Sequence, residues 1–376
     1  MAELTDRAQL WRSTMSGFKE SDSPIVLAHE KSSLTIDIDF DHRRESRELH
    51  QLDLSGSATL AHGSGDRNTL EDADPVRTCF EKDRDRILHS SAFRRLAGKT
   101  QVFVFPADHQ RTRLTHALEV AQVARSIGKR LCLNVDLCEA IALGHDCGHG
   151  PGGHASEDAL SIFLDEGYDH AIIGARYTLQ PLNLCKETID GIENHSWSRP
   201  EPLTPEGLVV SWADRIAYCA HDLEDAISAH LVAISDLPKS LQSGIGITRS
   251  QHLNYFINAV VEATMSSAKI SMLEESAYYL AELRDFNYRN IYLRPESTMQ
   301  SEQVIGVLRS LTEFLISNSH IAIEKADLSD TLSEEEFIRA VVTYVGGMTD
   351  RYAFKMAAQL AGYDESKLPR GIDIWT

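Results

Sequence analysis

Long apolar runs are missing from this 376-residue chain. Nowhere do about 18 apolar residues follow one another, the length a bilayer-crossing helix requires, so no membrane span is expected. The opening residues, "MAELTDRAQLWRSTM", lack the apolar stretch of a secretory leader, and secretion is not expected either. Positive charge is scarce. With 37 Lys and Arg against 56 Asp and Glu the net charge is −19, which argues against a broad basic face for duplex DNA or an anionic membrane. An anionic ligand would have to bind where local charges or a metal ion override that field. Cysteine is sparse, six residues without a C-x-x-C pair, and a chain of this length needs no disulfide staples, so reduced thiols in a cytoplasmic protein are the expectation. No internal repeat occurs, and strand-like alternation is rare, "QVFVF" at 101–105 being its clearest instance.

What is abundant is helical periodicity. Leu114, Leu118, Ala121 and Ile127 return at three- and four-residue intervals, as do Leu137, Ile141 and Ala142, and then Ala159, Phe163 and Leu164. The pattern pauses at the turn-rich "DLPKSLQSGIGITRS" (236–250), resumes with "LNYFINAVVEATM" and continues to about residue 362. Residues 1–76 mix short amphipathic pieces with the polar stretch "AHGSGDRNTLEDADP". The sequence therefore predicts an all-α fold in three parts: an N-terminal arm over 1–76, a helical core over 77–240 and a further helical region over 241–376 packed on that core.

The densest chemistry is "HDCGHGPGGH" at 145–154, three histidines and an aspartate among four glycines and a proline. The helical pattern from Glu139 must end there, because Pro151 cannot continue the hydrogen-bond ladder and glycine readily takes the left-handed cap conformation. His145 and Asp146 then sit at the end of a helix, where both side chains can reach one ion beside it. Two further candidates lie on other helices. His116 shares a face with Val120, Val123 and Ile127, so its imidazole points inward; Asp214 lies on a helix whose Ile216, Ala217 and Ala220 form a buried stripe, where a carboxylate is costly without a cation. Two imidazoles and two carboxylates suit a divalent Mn, Fe, Co or Ni ion, with Mg or Zn also compatible. Each residue alone has a plainer reading: His116 as a hydrogen-bonded core histidine, Asp214 as a surface charge or an ion pair with Arg215 or Arg176. The order H…HD…D, each part on its own helix, joins them.

That order resembles the HD-domain metal-dependent phosphohydrolases, and more closely the deoxynucleoside triphosphate triphosphohydrolases of the deoxyguanosine triphosphatase type. The resemblance is carried by "DRDRILHSSAFRRLAGKTQVF" (83–103), "RTRLTHALEVAQVARSI" (111–127), "EAIALGHDCGHGPGGHASEDAL" (139–160), "ADRIAYCAHDLEDA" (213–226) and "GGMTDRYAFKMA" (346–357). It implies an HD-domain helical bundle with additional C-terminal helices, and one divalent ion held by His116, His145, Asp146 and Asp214. It implies attack of metal-bound water on the α-phosphorus of a deoxynucleoside triphosphate, dGTP foremost, releasing deoxynucleoside and inorganic triphosphate. His154 and Glu157 are matched to acid and orienter, and their three-residue spacing would let the carboxylate hold the imidazole on one helical face. Glu157 would equally serve simply to stabilise a helix N-terminus.

By the same resemblance His149 contacts phosphate or aids proton transfer, His170 lies near the α-phosphate, Gln101 near the 3′ hydroxyl, and Tyr218 and Asp222 near the sugar. Arg113, one turn before His116, and Arg215, beside Asp214, are matched to phosphate. The plainer alternatives are a loop histidine for His149, a helix-start charge for Arg113, core for Tyr218, an ion-pair partner for Asp222 and a strand-end polar residue for Gln101. Two positions depart from the family pattern: Ala171, where relatives more often carry Asn or Glu, and Gly152, where relatives usually have an aromatic residue. The Arg-rich "DRDRILHSSAFRRL" is interleaved with Asp83 and Asp85, so an ion-pair network or a subunit contact is expected rather than a DNA groove. Relatives form closed homo-oligomers, often hexamers, and some bind effector nucleotides or single strands. Rival readings are an HD-type nucleotide monophosphatase or phosphodiesterase and a low-turnover nucleotide or nucleic-acid sensor.

Overall fold

The computed structural model describes residues 5–20 and 23–371. Residues 1–42 and 43–376 form two compact units. In the first, the Thr5 hydroxyl caps a helix over Asp6–Thr14 by accepting from the Ala8 amide at 3.3 Å, and a hairpin pairs Phe18–Lys19 with Val26–Leu27. None of its described residues is buried.

The second unit is built of helices, as the periodicity predicts. Those that position the site are α1 (Cys79–His89), α2 (Arg113–Arg130), α3 (Val135–Gly144), α4 (Ala155–Leu160), α5 (Pro205–Ser228), α6 (Arg249–Ser267), α7 (Glu274–Asn287), α8 (Pro295–Ser317), α9 (Glu334–Gly346) and α10 (Asp350–Leu360). Their starts are chemically marked. Thr78 and Glu81 form a reciprocal capping box on α1, Asn134 accepts from the Leu137 amide at the head of α3, and Thr204 caps α5 ahead of Pro205, whose missing N–H costs nothing in a first turn.

Two cores result. Helix α3, apolar almost all round, is an interior helix packed by α1, α2 and α5, and α6 and α7 close this first core. A second core joins α4, α8, α9 and α10 around Leu160, Val307, Leu311 and Val345. The chain crosses from one core to the other between α3 and α4, through the glycine-rich decapeptide. Two of its glycines are sterically required: a Cβ on Gly148 would stand 2.0 Å from the His170 carbonyl oxygen, and one on Gly152, at φ +76°, would stand 2.4 Å from Val304. The departure noted at Gly152 thus has a local cause.

Residues 101–105 are not a strand. Phe103 and Val104 are both buried, in different apolar clusters, and Phe105 turns to φ +53° and packs edge-on against Phe354 at 5.6 Å. Val102 and Phe103 enter one apolar cluster and Val104 and Phe105 another, so the side chains do not alternate across a sheet, and among the described residues the pairing nearby is the isolated bridge Thr100 to Thr112. In the Arg-rich block Arg84 pairs with Asp85 and Asp136 and Arg86 with Glu71, while Arg94 donates to the His89 carbonyl. The polar stretch before α1 is also tied down. Arg67 and Asp83 form a buried ion pair at 2.5 Å, and the buried Glu206 accepts from the Thr59 amide and hydroxyl and the Asn134 amide.

Candidate functional site

Helices α2, α3 and α5 bring the four sequence-predicted ligands to one place. Nε2 of His116 lies 3.0 Å from Oδ1 of Asp214 and 4.0 Å from Oδ2 of Asp146; Nε2 of His145 lies 3.5 Å from Oδ1 of Asp146 and 3.6 Å from Oδ1 of Asp214. Two atoms each about 2.0–2.2 Å from one ion are at most roughly 4.4 Å apart, and these separations all satisfy that bound. Nδ1 of His145 donates to the Ala142 carbonyl at 2.6 Å, which leaves Nε2 facing the carboxylates, and that buried nitrogen has no hydrogen-bond partner among the described residues. Burial opposes charge on His145, yet Asp146 and Asp214 outweigh it and raise the imidazole to about 9: the locus favours a positive charge. By donor type, spacing and field the cluster suits a divalent cation: one atom each of His116, His145 and Asp214 lie together, and Asp146 groups likewise with His145 and His195. Asp214, with 22% of its side chain accessible, is the open side of the cluster.

The cluster forms one wall of a cavity of about 500 Å³, and every predicted site residue except His145 and Glu157 lines it. Arg113, 2% exposed, donates from Nη1 to Asp146 at 2.6 Å, while its Nη2 and Nε have no partner among the described residues. Asp146 is thereby held far below the ordinary carboxylate range despite its burial, chiefly by Arg113 and His145. His149 stacks on His170 at 3.7 Å, and His154 meets His149 edge-on at 5.1 Å. His154 is exposed where it lines the cavity.

One expected pairing differs. Glu157 does not hold His154; its Oε1 accepts from Nδ1 of His170 at 2.5 Å and from the His170 amide at 3.4 Å. His154 is the N-cap of α4, and the Glu157 carboxylate turns instead to the first residue of the helix His170–Ile173, which offers two donors where His154 offers one. His195, which sequence reasoning missed, lies beside this pair. Its Nδ1 donates to the Ile192 carbonyl at 2.8 Å, so its Nε2 presents a lone pair 3.3 Å from Nε2 of His170, and both ring nitrogens of His170 face acceptors. Burial, then the neighbouring His145 and His170, push His195 down to about 3. No periodic spacing marked this histidine, since it follows a helix end in "IENHSWS".

Other residues complete the cavity lining. Arg215 stacks over Trp197 at 3.7 Å, Tyr218 accepts from Nε of Arg284 at 2.9 Å, and Tyr292 donates to Asp222. The buried Gln101 Oε1 and Asp222 Oδ1 have no partner among the described residues. Trp197, Arg284 and Tyr292 were also missed, being far from the motifs in sequence. Burial pushes Asp222 up to about 7. The unfolded chain gives up this proton near the ordinary carboxyl value while the fold retains it, so Asp222 increasingly opposes folding as pH rises toward 7. Asp222→Asn should therefore stabilise the protein little at pH 4 and by up to roughly 4 kcal/mol at pH 8. Thermal melts at the two pH values check this, and equal shifts would refute it.

An HD domain family model matches residues 113–219, and a phosphohydrolase-associated domain model matches residues 270–359. A deoxyguanosinetriphosphate triphosphohydrolase-like protein of Caldanaerobacter subterraneus subsp. tengcongensis is 39% identical over 335 residues, 87% of this chain and 96% of that protein. One of the same description from Clostridium perfringens strain 13 is 40% identical over 326 residues, 82% of this chain and 94% of that protein.

Proposed function

We propose, from the premise that the chain belongs to the HD-domain family of deoxyguanosinetriphosphate triphosphohydrolase-like proteins and is a phosphohydrolase, that it converts a deoxynucleoside triphosphate to deoxynucleoside and inorganic triphosphate. The supporting observation is that His116, Asp146 and Asp214 line, with Arg113, His149, His154 and His170, a cavity large enough for a nucleotide, and that the buried His145 groups behind them with His116 and Asp214 and with Asp146. The quartet would hold a divalent ion, among Mn, Fe, Co, Ni and Mg, which when bound acts as a Lewis acid toward phosphate and water.

The chain's own residues do the rest. The unpartnered guanidinium nitrogens of Arg113 meet phosphate oxygens, joined by Arg215, whose stacking on Trp197 fixes its plane. Glu157 and His195 fix the ring of His170 from either side, and His149 is stacked on it, so the imidazoles beside the α-phosphate are rigid. Water adds to the α-phosphorus as the bond to the sugar 5′ oxygen breaks. His154, whose proton affinity rises beside the triphosphate charge, delivers the proton that oxygen needs. Gln101, Tyr218 and Asp222 hold the sugar. The proposal also takes in dGTP as the foremost substrate, a catalytic core over 77–240, a cytoplasmic location, a closed homo-oligomer, and effector nucleotides or single strands as further ligands, all on family resemblance. Among the described residues no helix is long and apolar enough to cross a membrane.

The test is the product. Protein loaded in turn with each metal and incubated with each deoxynucleoside triphosphate should release inorganic triphosphate and deoxynucleoside, resolved by ion-exchange chromatography. Monophosphate with pyrophosphate, or no turnover with any metal, would overturn the proposal.

A further inference from the structure

The block "GGMTDRYAFKMA" at 346–357 supplies no residue to the reaction above, yet it reaches the back of the catalytic loop. Asp350, the first residue of α10, is 2% exposed. Its Oδ2 accepts from the Thr100 amide at 3.0 Å and the Thr100 hydroxyl at 2.6 Å, and its Oδ1 accepts from the Gly152 amide at 2.8 Å. Nearby, the ammonium of Lys99, also 2% exposed, donates to the His149 carbonyl and, at 2.9 Å, to the Gly346 carbonyl. The stretch from His149 to Gly152 is therefore held at both ends from behind, by two consecutive residues before Gln101 and by the 346–350 segment.

The loop has turn bonds of its own, from the His149 amide to the Asp146 carbonyl and from the Gly153 amide to the Gly150 carbonyl, and Ser156 and Tyr168 also bond to it; the Asp350 and Lys99 tethers add to these because the loop is rich in glycine. It contains Gly148, Gly150, Gly152 and Gly153, the last two at positive φ, and glycine loses the most backbone freedom on ordering. His149 and His154 flank the tethered amide, and Gln101 follows Thr100 directly. We propose that Asp350 is a positioning residue, contributed by the C-terminal helical region, which holds the glycine-rich loop bearing His149 and His154, and the adjoining Gln101, in working register. The proposal rests on the phosphohydrolase reading of the cavity. A carboxylate is the side chain for this place, because it offers acceptors to all three donors. An asparagine in the same position presents an NH₂ group to one of the backbone amides and forfeits that bond.

Asp350→Asn and Asp350→Ala in the full chain test this against wild type, with steady-state kinetics, metal content and hydrogen exchange of the peptide spanning 147–154. In Asp350→Asn kcat should fall on the order of 10-fold and in Asp350→Ala on the order of 100-fold, the losses that small misplacements of reacting groups produce. Metal content should stay at the wild-type level, and exchange in 147–154 should quicken in the same order. A merely structural role would lower the melting temperature while leaving kcat per folded molecule and loop exchange unchanged, and that result overturns the proposal. Should the alanine variant not fold, the asparagine variant decides on the same readouts. If wild type itself releases no triphosphate, the reading of the reaction fails; loop exchange then decides alone, quickened exchange sustaining the role of Asp350 and unchanged exchange ending it.

Discussion

Asp146→Ala should reduce metal content from stoichiometric to background and lower triphosphate release by roughly 10³-fold or more, the loss expected when several kcal/mol of charge stabilisation are removed. Asp146 faces His145 through Oδ1 and His116 through Oδ2, the oxygen that also accepts from Arg113. The variant will also be less stable: stripping Arg113 of its buried partner costs about 3–5 kcal/mol. Asp214→Asn separates the two effects. Its carboxylate is partly accessible and bonded to His116, with no buried guanidinium depending on it. It should lose metal and turnover to a similar degree with a smaller fall in melting temperature. Metal analysis, kinetics and melting curves on both variants check this; retention of metal and turnover by both would dismiss the quartet as a metal centre.

The second large effect concerns His154. His154→Asn should lower kcat by about 10²–10⁴-fold, the usual contribution of a positioned proton donor, with metal content and KM close to wild type. His154 stands outside the quartet, is reached from the cavity, and contacts His149 only edge-on, so its removal need not disturb the ligands. An aryl phosphodiester supplies the discriminating measurement, because an aryloxide departs without a proton. The variant should hydrolyse it at close to the wild-type rate. If the aryl ester slows as much as the nucleotide does, His154 does not serve the leaving oxygen.

Residues that share a helix or a loop with a motif were legible before any coordinates. His116 belongs to a stripe of apolar residues at helical spacing, and His145 and Asp146 stand where Pro151 and the glycines must end a helix. Their convergence follows once three apolar helices are packed together. The partners of those residues were much less legible. Glu157 is three residues from His154 but bonds to His170, thirteen residues away, because side-chain direction is set by which donors the fold supplies. The polar stretch before residue 77 reads as loose chain by composition, yet it contains Arg67, whose ion pair with Asp83 is fully enclosed. Composition reports solubility, and burial of a paired charge leaves no mark in it. The alternation in "QVFVF" misled for a related reason: its four apolar side chains enter two clusters, Val102 and Phe103 one and Val104 and Phe105 the other, so no sheet is needed to bury them.

By itself the sequence determined the helices, the place where α3 must stop, and the residue types able to hold a divalent cation, since these depend on local periodicity, capping and the chemistry of single side chains. Only the tertiary structure decided which carboxylate serves which imidazole, that His195 joins the cluster, and that Asp350 reaches the glycine-rich loop from almost two hundred residues away. Those choices are made where two apolar cores meet. A buried hydrogen-bonding group must find a partner among whatever groups packing has brought alongside it, and separation along the chain does not enter that selection.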